Sequence, residues 1–273
     1  MAFRSHVVRP MNLSLPSNRL VIGLGLVGLV AAAVIALTGG PMSVWWTPVY
    51  IGLVWALGRE LDPDHEITAL IAATGGGLWV LAGFDTSAMP ALLGLMVAGR
   101  LVLNSTGRRP LLSDYIGMGV IAAAISFTLL GWVGGFGMAI AMYIDDRMAD
   151  EHRQMSIVSA ALTALATSAV VTASRAFPQE VPDARSALVV GIGLVALISV
   201  VREPEEPVST VDSRMKNLLA PGRLHATRAM IGVLVFLAAF LNGPDAAAMV
   251  PAAGVIALAL VANEVERIRR KRG

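Results

Sequence analysis

Apolar residues in this chain come in long runs, separated by short charged or Pro/Gly-rich stretches. The runs cover 20–37, 44–58, 67–84, 91–103, 115–144, 155–173, 187–201, 229–241 and 246–262. Apolar runs of this length predict membrane-spanning helices rather than buried strands. Several are short for a hydrocarbon core of roughly 30 Å, so their helices are expected to extend into the flanking polar residues.

The run 115–144 is the reverse case. As one helix its 30 residues would be about 45 Å long, more than a bilayer needs. Its middle reads GWVGGFG (131–137), and glycine at that density suits a tight turn between two helices. The distribution of basic residues also favours the split. With the N-terminal tail in the cytoplasm, ten spans put 19 Arg and Lys inside and only Arg175 and Arg185 outside. Nine spans would leave 9 inside against 12 outside, contrary to the positive-inside rule.

The expected fold is therefore an all-α integral membrane protein, a bundle of about ten transmembrane helices in five hairpins with both termini cytoplasmic. Residues 1–19 form a cytoplasmic tail, 20–262 a single membrane domain with an inner loop at 202–228, and 263–273 a basic tail. The first run, after its basic tail, is read as a retained span rather than a cleaved signal. A basic tail at the end suits anionic lipid headgroups.

Composition agrees and narrows the chemistry. The chain is 56% hydrophobic and 15% charged, with a mean hydropathy of +0.70, whereas soluble domains carry about a quarter charged residues. Cysteine is absent, which removes disulfides, thiolate nucleophiles and Cys-ligated metals. A net charge of +2 gives no reason to expect nucleic acid as a partner. The expected partners are the lipid bilayer and a lipid-phosphate or small-molecule ligand, and the expected location is the cytoplasmic membrane of a prokaryote.

Two glycine-rich motifs need separating from chemistry. GLGLVG (23–28) matches a dinucleotide fingerprint letter for letter, but it lies inside an apolar span, with no carboxylate at 40–48. Close helix packing explains it better, and likewise GGG at 75–77.

Charge concentrates in RELDPDHE (59–66), the inner turn between the second and third spans. Asp62 is expected to cap the third helix, with Pro63 at its first position and Asp64 and Glu66 in its first turn. That leaves Glu60 and His65 unexplained. A second inner loop, IDDRMADEHRQ (144–154), has a related look, and between them LNSTGRRPLLSDY (103–115) carries Arg108 and Arg109. Asp62, Asp64, Asp146 and Asp150 are the candidate ligands for Mg²⁺, whose carboxylate sites commonly also bridge phosphate. His65, His152, Arg108 and Arg109 are the candidate substrate-binding residues, the arginines for phosphate. Helix capping and topology account for much of the same pattern. Arg59 and Arg100 read as snorkelling interfacial residues.

Acidic loops after the second and sixth spans, with the D-x-x-x-D spacing of Asp146 and Asp150, are similar in placement to those of the membrane prenyltransferases. RRPLLS (108–113) is similar to part of that family's basic segment. The first loop lacks the Asn-Asp start and the basic piece sits one hairpin late, so the chain is not assigned to that family. Three functions stay open: an enzyme acting on an isoprenoid or phospholipid headgroup, a facilitator for an apolar or neutral solute, and a non-catalytic scaffold. The facilitator needs a central cavity lined by Trp and Ser/Thr.

Overall fold

The computed structural model describes residues 13–105, 110–148, 154–174 and 219–272, with isolated helical positions at Gly191, Leu194 and Ile198. The described residues form helices and turns without a strand. The long helices are α1 (Pro16–Leu37), α2 (Thr47–Leu61), α3 (Glu66–Leu81), α4 (Met89–Leu103), α5 (Leu112–Ile125), α6 (Gly131–Met148), α7 (Gln154–Ser174), α8 (Pro221–Asn242) and α9 (Val250–Arg272). Two short 3₁₀ segments, Met42–Trp46 and Gly243–Met249, lead into α2 and α9.

Local chemistry sets several boundaries. α1, α2 and α4 each carry proline in their first two positions, where the missing N–H costs no helical bond. α4 stops at Asn104, whose φ of 53° is left-handed, a conformation asparagine tolerates at a helix end. Asp114 in the first turn of α5 accepts a 2.9 Å bond from the Leu111 N–H, satisfying one of the free donors at that end.

The 115–144 run is two helices, as its length requires. Tyr115 near the start of α5 donates to Asp145 near the end of α6 at 3.4 Å, so the pair runs antiparallel. The break, however, lies at Ser126–Leu130 and not at GWVGGFG. Ser126 and Thr128 hydroxyls bond back to Ala122 O and Ile125 O at 2.6 and 2.8 Å, closing α5.

The glycines expected to form the turn sit inside α6 as packing positions. Gly134 faces Gly94 of α4, Gly135 faces Ser126 and Thr167, and Gly137 lies between Leu95 and Leu234. The GLGLVG motif divides differently: Gly28 packs on Thr47 and Ile51, while Gly23 and Gly25 have open space beside them.

Further contacts fix the other directions. Ser156 of α7 donates to Met142 O at 2.7 Å and Thr167 lies beside Gly135, so α7 runs against α6. Thr227 meets Gly99 and Leu234 meets Gly137, which sets α8 antiparallel to α4 and α6. Tyr50 reaches Ala248 O and Val255 lies near Gly58, so α9 runs parallel to α2. One end of the bundle thus collects the C-termini of α2, α4, α6 and α9 with the N-termini of α3, α5, α7 and α8. This is the charged end.

α4 is central, with Leu92, Leu95, Ala98, Leu101 and Val102 all buried. α1 is peripheral and exposes Leu26, Val27, Val30 and Val34. Ile67, Ile71 and Leu78 of α3, Val120 of α5, and Leu162 and Leu165 of α7 are exposed as well. An apolar surface this widespread is suited to lipid rather than water. Three helical stretches, Pro16–Leu37, Pro221–Asn242 and Asp245–Arg269, are long and apolar enough to cross a membrane.

Candidate functional site

The last turn of α2 delivers two carboxylates to the charged end, and both become buried. Glu60 is 3% exposed and accepts from Arg100 Nε of α4 at 2.9 Å. Arg100 is therefore half of an interior ion pair and does not snorkel to the surface. Glu60 Oε2 has no hydrogen-bond partner.

Asp62 is 1% exposed and ends α2 rather than starting α3, which begins at Glu66 behind His65. This corrects the expected cap, and the reason lies on α8. Arg228 donates from Nε to Leu61 O at 2.7 Å and brings its guanidinium to 3.9 Å from Asp62 Oδ1. The last carbonyls of α2 are at the negative end of its dipole, where a buried cation is favoured. Asp62 then turns toward Arg228 and His65, and Pro63 falls in the turn.

His65 Nδ1 lies 2.8 Å from the same Asp62 oxygen, with its side chain 31% exposed. A carboxylate on one ring nitrogen holds the imidazole in one tautomer and orientation, leaving the other nitrogen to accept a proton. Arg59 and Glu66 form a second, more exposed ion pair at 3.3 Å across the same turn.

A matching cluster lies at the ends of α4 and α6. Arg223 of α8 donates to Asp145 at 2.9 Å, to Val102 O at 2.8 Å and to Met148 O at 3.2 Å. Asp145 also accepts from Tyr115. The first two turns of α8 therefore gather the C-terminal carbonyls of three helices, Arg228 serving α2 and Arg223 serving α4 and α6. Sequence reasoning counted both arginines only as inner-loop positive charge. Their spacing of five residues at a helix start was the available signal, but their partners are more than 70 residues away in sequence.

The expected site residues divide as follows. Asp62 and His65 meet each other; Asp64 is exposed on the same turn, and Asp146 is buried near the end of α6. Arg108, Arg109, Asp150 and His152 lie outside the described residues. Among the described residues, no group of three or more His, Asp or Glu side chains stands close enough to hold a metal ion. Asp62 is already engaged by His65 and faced by Arg228, so a cation there would have to displace one of them. Arg147 lies over the Tyr143 ring at 5.2 Å, on the surface of α6.

Burial raises the pKa of Asp62 above the ordinary carboxylate value; the bond from His65 and the nearby charges of His65 and Arg228 pull against that rise. A carboxyl that holds its proton more tightly when folded stabilises the fold when protonated, and this stabilisation is lost as pH rises through the raised folded value. The melting temperature of the wild type should therefore fall relative to Asp62→Asn as pH climbs from the ordinary carboxylate range through that window. Parallel melting profiles for the two proteins would show that Asp62 does not titrate there.

An open, shallow depression of about 410 Å³ lies on the peripheral face of α3, lined by Ile67, Leu70, Ile71, Thr74, Gly75 and Leu78. It is not the central cavity that a facilitator would need. Compared with family models, curated proteins and solved structures, the chain has no match.

Proposed function

We propose that this is a ten-span protein of the prokaryotic cytoplasmic membrane, with both termini inside, that acts as an enzyme on a phosphate-bearing lipid headgroup, phospholipid or isoprenoid, at the cytoplasmic face. The topology is supported by the directions of α7 and α8. α7 ends away from the charged end and α8 begins at it, which is the arrangement a further span over the apolar run 187–201 calls for. The same arrangement gathers the basic residues at one face, as the positive-inside rule asks.

The observation that carries the activity is the Asp62–His65 pair. Asp62 is buried and faces Arg228, while the imidazole it holds is partly exposed at the level where headgroups would lie. That geometry suits general acid–base catalysis, which contributes about 10²–10⁴-fold to a rate.

The test is turnover of short-chain phosphatidate, phosphatidylethanolamine and prenyl diphosphate by the purified protein, with and without Mg²⁺, read by mass spectrometry. His65→Ala should reduce turnover by about 10²-fold or more while leaving the melting temperature near wild type. Equal turnover in His65→Ala, or none in the wild type, would overturn the reading. A second reading, a non-catalytic scaffold, is favoured by the close backbone contact of α4 and α6 at Gly94 and Gly134; absence of turnover on all three lipids would support it.

A further inference from the structure

We propose that the start of α1, together with Trp55 and Arg59 of α2, forms a seat for a phosphate oxyanion at the charged end of the bundle. The seat goes beyond the catalytic reading: it is read by binding, and it stands whether or not His65 is catalytic.

Three side-chain atoms there are shut from water and make no hydrogen bond among the described residues: Ser17 Oγ, Trp55 Nε1 and Arg59 Nη1. Arg59 Nη1 stands 3.3 Å from Glu66 Oε1 without a hydrogen bond to it. Ser17 as a whole is 2% exposed. Indole and guanidinium nitrogens can only donate, and a hydroxyl can. Buried donors are nearly always satisfied in folded proteins. What these three can share is an acceptor.

Helix register brings them to one level. α1 buries Ser17, Val21 and Gly28, whose spacing puts them on one face, and Gly28 packs on Thr47 and Ile51. Val21 and Leu24 share a cluster with Ile51 and Trp55, so α1 runs antiparallel to α2. About three turns from Gly28 toward the charged end stands Ser17; the same step from Thr47 and Ile51 reaches Gly58 to Asp62. Ser17 is therefore level with Arg59, and Trp55 lies one turn from Arg59 on the same face of α2.

The helix end adds to this. Pro16 opens α1, no side chain caps it, and its first turn holds no acidic residue. The free N–H groups of such a turn carry the positive end of the helix dipole and attract anions. A phosphate has oxygens enough to accept from a hydroxyl, an indole and a guanidinium together, and its bond with arginine is charge-assisted. The Arg59 side chain is 24% exposed, so a phosphate can enter from the headgroup level and keep its remaining oxygens in water. Glu66 is 44% exposed and can turn to solvent as the phosphate takes its place.

The test uses the full-length protein in detergent with equal amounts of dioleoyl phosphatidate and dioleoylglycerol, which differ only in the phosphate, and native mass spectrometry to count retained lipid. The wild type should retain the phosphatidate about tenfold over the diacylglycerol. Arg59→Gln removes the charge and should cut that preference about fivefold or more. Trp55→Phe keeps the ring, loses only the N–H and should act in the same direction, which covers the case of Arg59→Gln failing to fold. Glu66→Gln removes the competing carboxylate and should raise retention. Arg19→Gln, at an exposed cation of the same helix start, should retain lipid as the wild type does. Inorganic phosphate separates the two sources of the oxyanion. A rise in wild-type melting temperature that Arg59→Gln lacks assigns the seat to free phosphate; phosphatidate retention without that rise assigns it to a lipid headgroup. Equal retention of the two lipids by the wild type, an undiminished preference in both Arg59→Gln and Trp55→Phe, or an equal loss in Arg19→Gln would overturn the proposal. Turnover in His65→Ala is read separately, so loss of the catalytic reading and loss of the phosphate seat remain distinguishable.

Discussion

A Gly134→Val protein should fail to assemble. Gly134 lies where α6 crosses α4, and a Cβ built on it would stand 2.9 Å from the Gly94 Cα and 3.1 Å from Ala91 O. Those neighbours are backbone, so no side-chain rotation can relieve the clash, and valine adds two methyl groups to it. Overpacking a well-filled core costs about 1–3 kcal/mol even where side chains can adjust; here the cost should exceed that range. Yield of monodisperse protein by size exclusion would measure it. The matched control is Gly25→Val on α1, where a Cβ meets nothing within 4 Å, and stability should change by no more than about 0.5 kcal/mol. If the two variants behaved alike, the α4–α6 contact would not be what makes Gly134 necessary.

The second large effect is expected at Arg228. Arg228→Ala removes the donor to Leu61 O and leaves the Asp62 carboxylate, 1% exposed, without its nearby guanidinium. Removing one partner of a buried charge pair costs about 3–5 kcal/mol, and the lost carbonyl bond adds to that. Thermal unfolding in detergent would read the loss. Most of it should come from the stranded charge, so adding Asp62→Asn to Arg228→Ala should recover a large part of it. If the double variant were no more stable than Arg228→Ala, Asp62 would not be the source of the penalty.

The sequence made the helical and apolar character legible, and length alone divided 115–144 into two helices. What it misassigned was the use of glycine. GWVGGFG is expected to form a turn and GLGLVG to pack closely against other helices, and only the neighbours decide. Gly134 and Gly135 meet other helices, whereas Gly23 and Gly25 meet none. The cap at Asp62 failed for a similar reason. Local preference favoured an N-cap on α3, but Arg228, which captures the end of α2, lies on α8 and is invisible to a window of eight residues. Glu60 was the better-read residue: capping could not account for it, and its partner proved to be Arg100 of α4. The Asp62–His65 contact was within reach, since the two are three residues apart, but nothing local indicated which of them would be buried.

The helices differ in length in a way that bears on the surrounding lipid. α3 and α5, both with exposed apolar side chains, have 16 and 14 residues and reach only about 21–24 Å. α1 and α8 have 22 residues each, or about 33 Å. On the proposed topology, with α3 and α5 crossing hydrocarbon roughly 30 Å thick, the short pair would create hydrophobic mismatch, which a bilayer relieves by thinning locally. The leaflets would dip beside α3 and α5 and stand at full height beside α1. The protein should accordingly partition toward thinner bilayers, and its own footprint would be a tilted, uneven annulus rather than a level ring.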